Sequence, residues 1–386
     1  MQMKPLPAKR MQMKPTPMIP LRTNKPTAKK LYGISLLSYL KHMARSRLLF
    51  SCLFLLSHAM AAPTQSIHPD TLALPCRQKA EQLLDEALHF MEKNYYRRDR
   101  VSWTALEAQA RQQLLNAGNC DDAYASITWC FQQLGERHSF IMPPDKAARY
   151  TGDDAPGGQI SLTDLVGEIR GEWLQDSIGY LTIPWVSSTD SLVCERIADS
   201  IQAVIARLDT HHLSHWIIDL RNNSGGNCWP MLAGIGPLLG DGVYGYFVAS
   251  GERIPIAYYD GSACQGRHVI CRVSENHGYH THSTRKSIVV LTGHRTVSAG
   301  EIVALAFKGR QQTCLIGQPT AGLTTANATY SLSDRSMLVL TVCQEADFTG
   351  HICDGRIQPD QLIPAADVNT DADPARSAAL AWLENK

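Results

Sequence analysis

The stretch Ser287–Arg310 constrains this chain more than any other. Ser287–Leu291 is a short run of β-branched and apolar residues, the pattern of a buried strand. Thr292–Thr296 is polar and holds a glycine, which reads as a bend, and Ala299–Lys308 is a helix-forming run. Ser298 therefore falls at a strand–turn–helix junction. Free backbone N–H groups and the positive end of the helix dipole favour a developing oxyanion there. The same residues carry a plainer meaning. Ser298-Ala299-Gly300-Glu301 is S-x-x-E, the capping box that starts many ordinary helices. The stretch alone leaves both readings open.

Around it the chain alternates. Ile178–Val186, Trp216–Leu220, Thr313–Gly317 and Met337–Val342 read as strands, and Tyr244–Tyr259 as a hairpin with Cys264–Cys271 in a loop excursion. Ser191–Leu208, Met231–Leu239 and Ala375–Leu383 read as helices. This is an α/β pattern with a largely parallel sheet. Before it, Cys76–Tyr95, Trp103–Ala117 and Asp121–Leu134 have helical spacing, ending at Gly135-Glu136-Arg137-His138-Ser139-Phe140. The expected organisation is a helical subdomain over 70–150 and a core over 151–386.

Residues 1–62 stand apart as an extension and signal peptide. Arg45-Ser46-Arg47 precedes the apolar run Leu48–Leu56, and Ala59-Met60-Ala61 is an A-x-A cleavage signal. The signal spans about Met43–Ala61, the mature chain starts at Ala62 or Pro63, and the protein is exported, to the periplasm in a Gram-negative cell. No later stretch is long and apolar enough to span a bilayer. A net charge of +1 offers no electrostatic case for nucleic acid.

Ten cysteines follow the cut, an even count that suggests disulfides in an exported chain. Cys264–Cys271 and Cys343–Cys353 each bracket a short polar segment between strands, and are the expected pairs. No C-x-x-C pair occurs, and His277, His280 and His282 lack partners at metal-ligand spacing, so no metal site is expected.

Asp219-Leu220-Arg221-Asn222-Asn223-Ser224-Gly225-Gly226 is a strand followed by a Gly-Gly turn. Such a turn can aim N–H groups at an anion, or can simply join a strand to a helix. Taken with Gly-x-Arg-Thr-x-Ser-Ala-Gly-Glu (Gly293–Glu301) and Gly-x-Pro-Thr-Ala-Gly (Gly317–Gly322), it resembles the C-terminal-processing, or tail-specific, serine peptidase family. The closer resemblance is to the branch holding the tricorn core and the interphotoreceptor retinoid-binding protein repeats, over roughly Leu83 to Ala365.

The resemblance implies a crotonase/ClpP-like spiral of ββα units behind a helical segment. It implies Ser298 as nucleophile, with an oxyanion hole from the N–H of Ala299 and one from Gly225 or Gly226. It implies no cofactor, and a protein or peptide substrate. In the lysine-base branch the third motif runs into a Gly-Lys pair, but Leu323 stands there in this chain. The other branch takes a histidine from a turn after the helical segment, which makes His138 the candidate general base. Lys308 lies ten residues from Ser298 along one helix, about 15 Å at 1.5 Å per residue. With an unperturbed pKa near ~6.5, such a base should lose activity as pH falls through that region.

For the third member, tricorn-like proteins carry a glutamate shortly before a Gly-x-x-Pro-Asp segment. Counting back from Pro359-Asp360 puts Cys353 there, with Asp354 beside it as the candidate acid. Relatives that read C-termini usually insert a PDZ domain after the helical segment. Only Asp145–Ser177 is available here, below the ~50 residues a domain needs. An apolar-ligand-binding protein on the same fold is the alternative reading, and hydrolysis of a non-peptide ester or amide a third.

Overall fold

The computed structural model describes residues 74–115, 122–153, 162–175, 177–211, 213–274, 278–283, 285–364 and 373–386. The signal segment and the expected mature start lie outside them.

Three helices open the described chain: α1 (Leu74–Asn94), α2 (Trp103–Leu115) and α3 (Asp122–Gln133). Short elements follow: β1 (Phe140–Met142), α4 (Pro144–Thr151), α5 (Leu162–Leu165) and β2 (Gly171–Leu174). Pro144 opens α4, where its fixed φ suits the first turn, and Gly152 closes it at φ 80°. Then come β3 (Ile178–Thr182), α6 (Ser191–Leu208), β4 (His215–Asp219) and α7 (Cys228–Leu239). Asp190 caps α6 and Asn227 caps α7, each through a side-chain oxygen that accepts a first-turn N–H.

Four strands, β5 (Gly242–Ala249), β6 (Glu252–Tyr259), β7 (Ser262–Gln265) and β8 (His268–Arg272), form an antiparallel meander. After β9 (Ser287–Thr292) and α8 (Ala299–Phe307) come β10 (Thr313–Gly317), β11 (Thr325–Ser331), β12 (Met337–Asp347), β13 (Ile352–Cys353), β14 (Gln361–Leu362) and α9 (Pro374–Glu384).

The strands divide into two sheets. One runs β14-β10-β9-β4-β3-β2, parallel except where β2 meets β3. Both of its faces are covered, which is why its strands read as unbroken apolar runs. Trp216 and Ile218 of β4, Ile288 and Val290 of β9 and Leu315 of β10 join the core with α6, α7 and α8. Ile217, Val289, Leu291 and Ile316 point the other way and meet Ala375, Ala379 and Leu383 of α9.

The second sheet is antiparallel and runs β1-β12-β5-β6-β7-β8, with β11 and β13 also paired to β12. The alternating chain is therefore mixed α/β, with a larger antiparallel share than its sequence pattern implies. Residues 264–271, expected as a loop, lie within the β7–β8 pair. Strand β12 holds the front of the molecule together. Leu338 and Leu340 pack on α1–α3, whereas Met337 and Val339 pack on Ala147 of α4.

Neither expected disulfide forms. Cys76 is disulfide-bonded, and the other eight described cysteines are free. Cys271 faces Ala263 across the β7–β8 pair and enters the core with it. Cys264 is one residue along β7, so the pleat turns it to the opposite face. Cys353 stands opposite Glu345, two residues from Cys343 on β12. A diagonal offset of that kind leaves about 7–8 Å between the positions, where a bridge needs Cβ atoms about 3.5–4.5 Å apart.

Candidate active site

The parallel sheet brings the three sequence motifs to one place. Strands β4, β9 and β10 are adjacent and parallel, with Asp219 beside Leu291 and Thr292 beside Gly317. Each motif leaves the carboxyl end of one of these strands, the edge at which open α/β sheets gather their sites.

The turn after β4 is locked from within. Asp219 accepts from the Arg221 amide and guanidinium and, at 2.6 Å, from the Tyr180 hydroxyl. Arg221 also meets Asp373 at 2.8 Å. Buried Asn223 donates to the carbonyls of Ile183 and Pro184, while its backbone oxygen accepts from Val297 N–H at 3.0 Å. The turn therefore buttresses the residue just before Ser298. Gly225 stands so close that a Cβ there would lie 2.8 Å from the Val297 carbonyl and 3.0 Å from Ser298 Cβ. The Gly225 N–H is given to Asn223 Oδ1 at 2.9 Å, which takes it out of the expected oxyanion role. The N–H groups of Gly226 and Ala299 have no internal acceptor recorded among the described residues.

Ser298 has φ 52° and ψ −114°, a conformation that side-chain-bearing residues seldom adopt and that costs of order 1–3 kcal/mol. Glu301 holds it there. Its buried carboxylate accepts the Ser298 N–H at 2.9 Å, the Gly322 and Leu323 N–H groups at 2.8 Å each, and the Thr320 hydroxyl. Burial raises its pKa, against the pull of those donors. The helix-cap reading and the reactive-serine reading thus describe the same residues: Glu301 caps the helix, and the Ser298 hydroxyl turns to His138.

Nε2 of His138 lies 2.8 Å from Ser298 Oγ, across 160 residues of chain. The turn before β1 delivers it. Glu136 accepts the backbone N–H of His138 at 2.7 Å, and Asn327 of β11 donates to its carbonyl at 2.9 Å. His138 is 8% exposed, and burial pushes its pKa down to about 4. The expected loss of activity as pH falls through ~6.5 therefore moves downward, because dehydration penalises the imidazolium.

Asp354 is not at the ring. It is 80% exposed and faces Arg97 at 3.9 Å. The Nδ1 position is filled by Thr325 Oγ1 at 2.8 Å. Cys353 is a free thiol opposite Glu345. Lys308 is committed elsewhere, to Asp360 and the Gln358 carbonyl. Neither composition nor spacing singles out Thr325 or Asn327, whereas Asn223 stands within the Gly-Gly-turn motif and Glu301 within the S-x-x-E spacing. The His280 and His282 side chains meet Asp260 and Asp209, and no metal-holding group of three occurs among the described residues.

A hydroxyl on a neutral imidazole, beside a helix N-terminus with free amides, is equipped for nucleophilic attack on a carbonyl. Residues 177–363 match the profile of Peptidase family S41. The chain is 27% identical over 290 residues to the nisin-resistance protein of Lactococcus lactis subsp. lactis, covering 75% of this chain and 82% of that one. It is 25% identical over 240 residues to the carboxyl-terminal-processing protease of Synechocystis, covering 58% and 48%. Among solved structures, a lipoprotein from Streptococcus agalactiae shares the fold with a TM-score of 0.61 and 21% identity, over 80% of this chain and 96% of that one. Taken together, the match over residues 177–363 and the similarity to a carboxyl-terminal-processing protease make the chain a serine-type peptidase, a hydrolase.

Proposed function

We propose that the protein cleaves peptide bonds through an acyl-enzyme on Ser298, with His138 as general base. The 2.8 Å contact between Ser298 Oγ and His138 Nε2 carries this reading. As Oγ bonds to the scissile carbonyl carbon, its proton passes to Nε2 and the carbonyl electron pair moves onto oxygen. The N–H groups of Ala299 and Gly226 receive that oxyanion. Nε2 then protonates the leaving amine as the C–N bond breaks, and water attacks the ester by the same route in reverse. The chemistry is complete with side chains and backbone amides.

A histidine base with Leu323 in the lysine position supports the branch of the tricorn core and the retinoid-binding repeats. The strand–helix alternation behind α1–α3 supports the crotonase-like spiral. Relatives named for carboxyl-terminal processing and for resistance to nisin support a polypeptide substrate. With only short elements among the described residues between β1 and β3, we infer that no PDZ-type reader selects the substrate C-terminus. Export follows from the segment 43–61.

Among the described residues no carboxylate meets the His138 ring, which favours a second reading, an apolar-ligand binder on the same fold. Incubation with a fluorophosphonate decides between them. The peptidase labels on Ser298 and loses the label in Ser298→Ala, whereas an unlabelled wild-type protein that is folded would overturn the catalytic reading.

A further inference from the structure

We propose that Thr325 is the positioning residue of this site, its hydroxyl standing where a carboxylate would orient the base, so that His138 works without a counter-ion. The inference rests on the peptidase reading above.

The geometry is specific. Thr325 opens β11, and its register opposite Gln344 of β12 is fixed by the β11–β12 ladder. Glu301 clamps the preceding residues Thr320, Gly322 and Leu323 to the helix that bears Ser298. Asn327 of the same strand holds the His138 carbonyl. One strand and one carboxylate thus set Ser298, His138 and Thr325 relative to each other.

With Thr325 Oγ1 accepting at 2.8 Å, Nδ1 keeps its hydrogen and Nε2 presents a lone pair to Ser298. That is the tautomer a general base requires. The Nδ1–H bond stays intact throughout the reaction, and Thr325 exchanges no proton.

Among the described residues, no charged group near the ring stands in for a carboxylate. In the same turn, Glu136 accepts from backbone N–H groups and Arg137 projects into solvent. Glu301 of α8 is spent on four donors, and burial raises the pKa of Glu345 of β12 well above the usual carboxyl value. Beyond β13, Asp354 faces Arg97. The Cys353 thiol is held protonated by burial. The imidazolium formed during catalysis therefore gains only dipolar support, and the resting ring stays neutral well into acid.

Histidine labelled with nitrogen-15 in the full chain tests this directly, the His138 signals being those lost in His138→Ala. The wild-type ring should show hydrogen on Nδ1 alone at neutral pH. Thr325→Val should lose that preference and slow fluorophosphonate labelling by roughly 10- to 100-fold. Thr325→Ser should restore both. Thr325→Asp should move the acid limb of the labelling rate upward by about 1–3 pH units. If folded Thr325→Val keeps the wild-type tautomer, labelling rate and pH profile, the assignment fails while the peptidase reading stands. A wild-type protein that never labels sinks the peptidase reading instead, and the ring spectra still decide the role of Thr325 in orienting His138.

Discussion

The backbone N–H of Leu323 donates to Glu301 Oε2 at 2.8 Å, so the residue standing where a lysine base would begin is tied to the helix that carries Ser298. The third motif supplies no proton acceptor here. It anchors the helix that follows Ser298 and sets the start of β11.

Glu301→Ala should therefore damage more than a helix cap. Four donors lose their acceptor, three of them backbone amides. Each buried donor left unpaired costs ~1–3 kcal/mol. A thermal unfolding midpoint several degrees lower is expected, with labelling of Ser298 slowed at least ~10-fold. Glu301→Gln should fall between, since its amide offers one acceptor instead of two. An unchanged midpoint in the alanine variant would show that these contacts do not hold the site.

His138→Ala and Ser298→Ala should each remove nearly all turnover of a casein substrate, a loss of order 10²–10⁴ for the base. The double variant should be little worse, because members of one relay are non-additive. Circular dichroism checks that each is folded. A folded His138→Ala protein with near-wild-type turnover would return Ser298 to a plain helix cap.

The pH profile follows from burial of His138. Its folded pKa is depressed to about 4, below the ordinary histidine value of 6.5. The base stays deprotonated as pH falls through 6.5, so kcat/KM should hold and then drop near 4. Stability moves the same way. Between those values the unfolded chain binds a proton that the folded chain refuses, so unfolding becomes easier as pH falls. An acid limb centred near 6.5 would contradict the buried, unpaired ring.

Glu345 gives the opposite slope. It is buried beneath α8 among Tyr244, Ile256, Ile302 and Leu305, and neither carboxyl oxygen has a partner among the described residues. Burial, with a lesser push from Glu301, raises its pKa well above the usual 4.5. As pH rises past that value the unfolded chain releases a proton the folded chain retains, and stability falls. Glu345→Gln should flatten this decline, measured as urea midpoints at pH 5 and 8. Equal declines in both proteins would mean that the acid is paired or hydrated.

Eight free thiols should resist alkylation in the native protein and react once it unfolds, because seven are buried and only Cys353 is half-exposed. Burial also raises the pKa of those at Cys130 and Cys343 to about 12, suppressing the reactive thiolate. Peptide mapping without reduction should return Cys264, Cys271, Cys343 and Cys353 as free. A bridge within either expected pair would require a different register in the β7–β8 or β12–β13 pairing.

The parts of this site that sequence revealed are those with their own chemical signature. A serine before a helix and a Gly-Gly turn are visible from residue type and spacing, and the family resemblance adds the histidine of the turn before β1. Thr325 has no such mark. Its segment, Thr325–Ser331, is small and polar without apolar alternation, and it becomes a strand because β12 offers it a ladder. Asp354 stands beside the position at which the resemblance implies an acid, yet the short β13 ends at Cys353 and leaves it in solvent. Ring burial, which sets the working pH, is a tertiary property that no local pattern carries.

Strand β12 has one more consequence. Ser298, its clamp Glu301 and Thr325 all fall inside residues 177–363, whereas His138 lies outside that span and reaches the site from the α3–β1 turn. The helices before that turn rest on Leu338 and Leu340 through a core of their own. Loosening that contact would separate acceptor from hydroxyl while the parallel sheet stayed whole. Hydrolysis is thus conditional on a docking event within the chain, and a weakened front could silence the enzyme well below the temperature at which its main core melts.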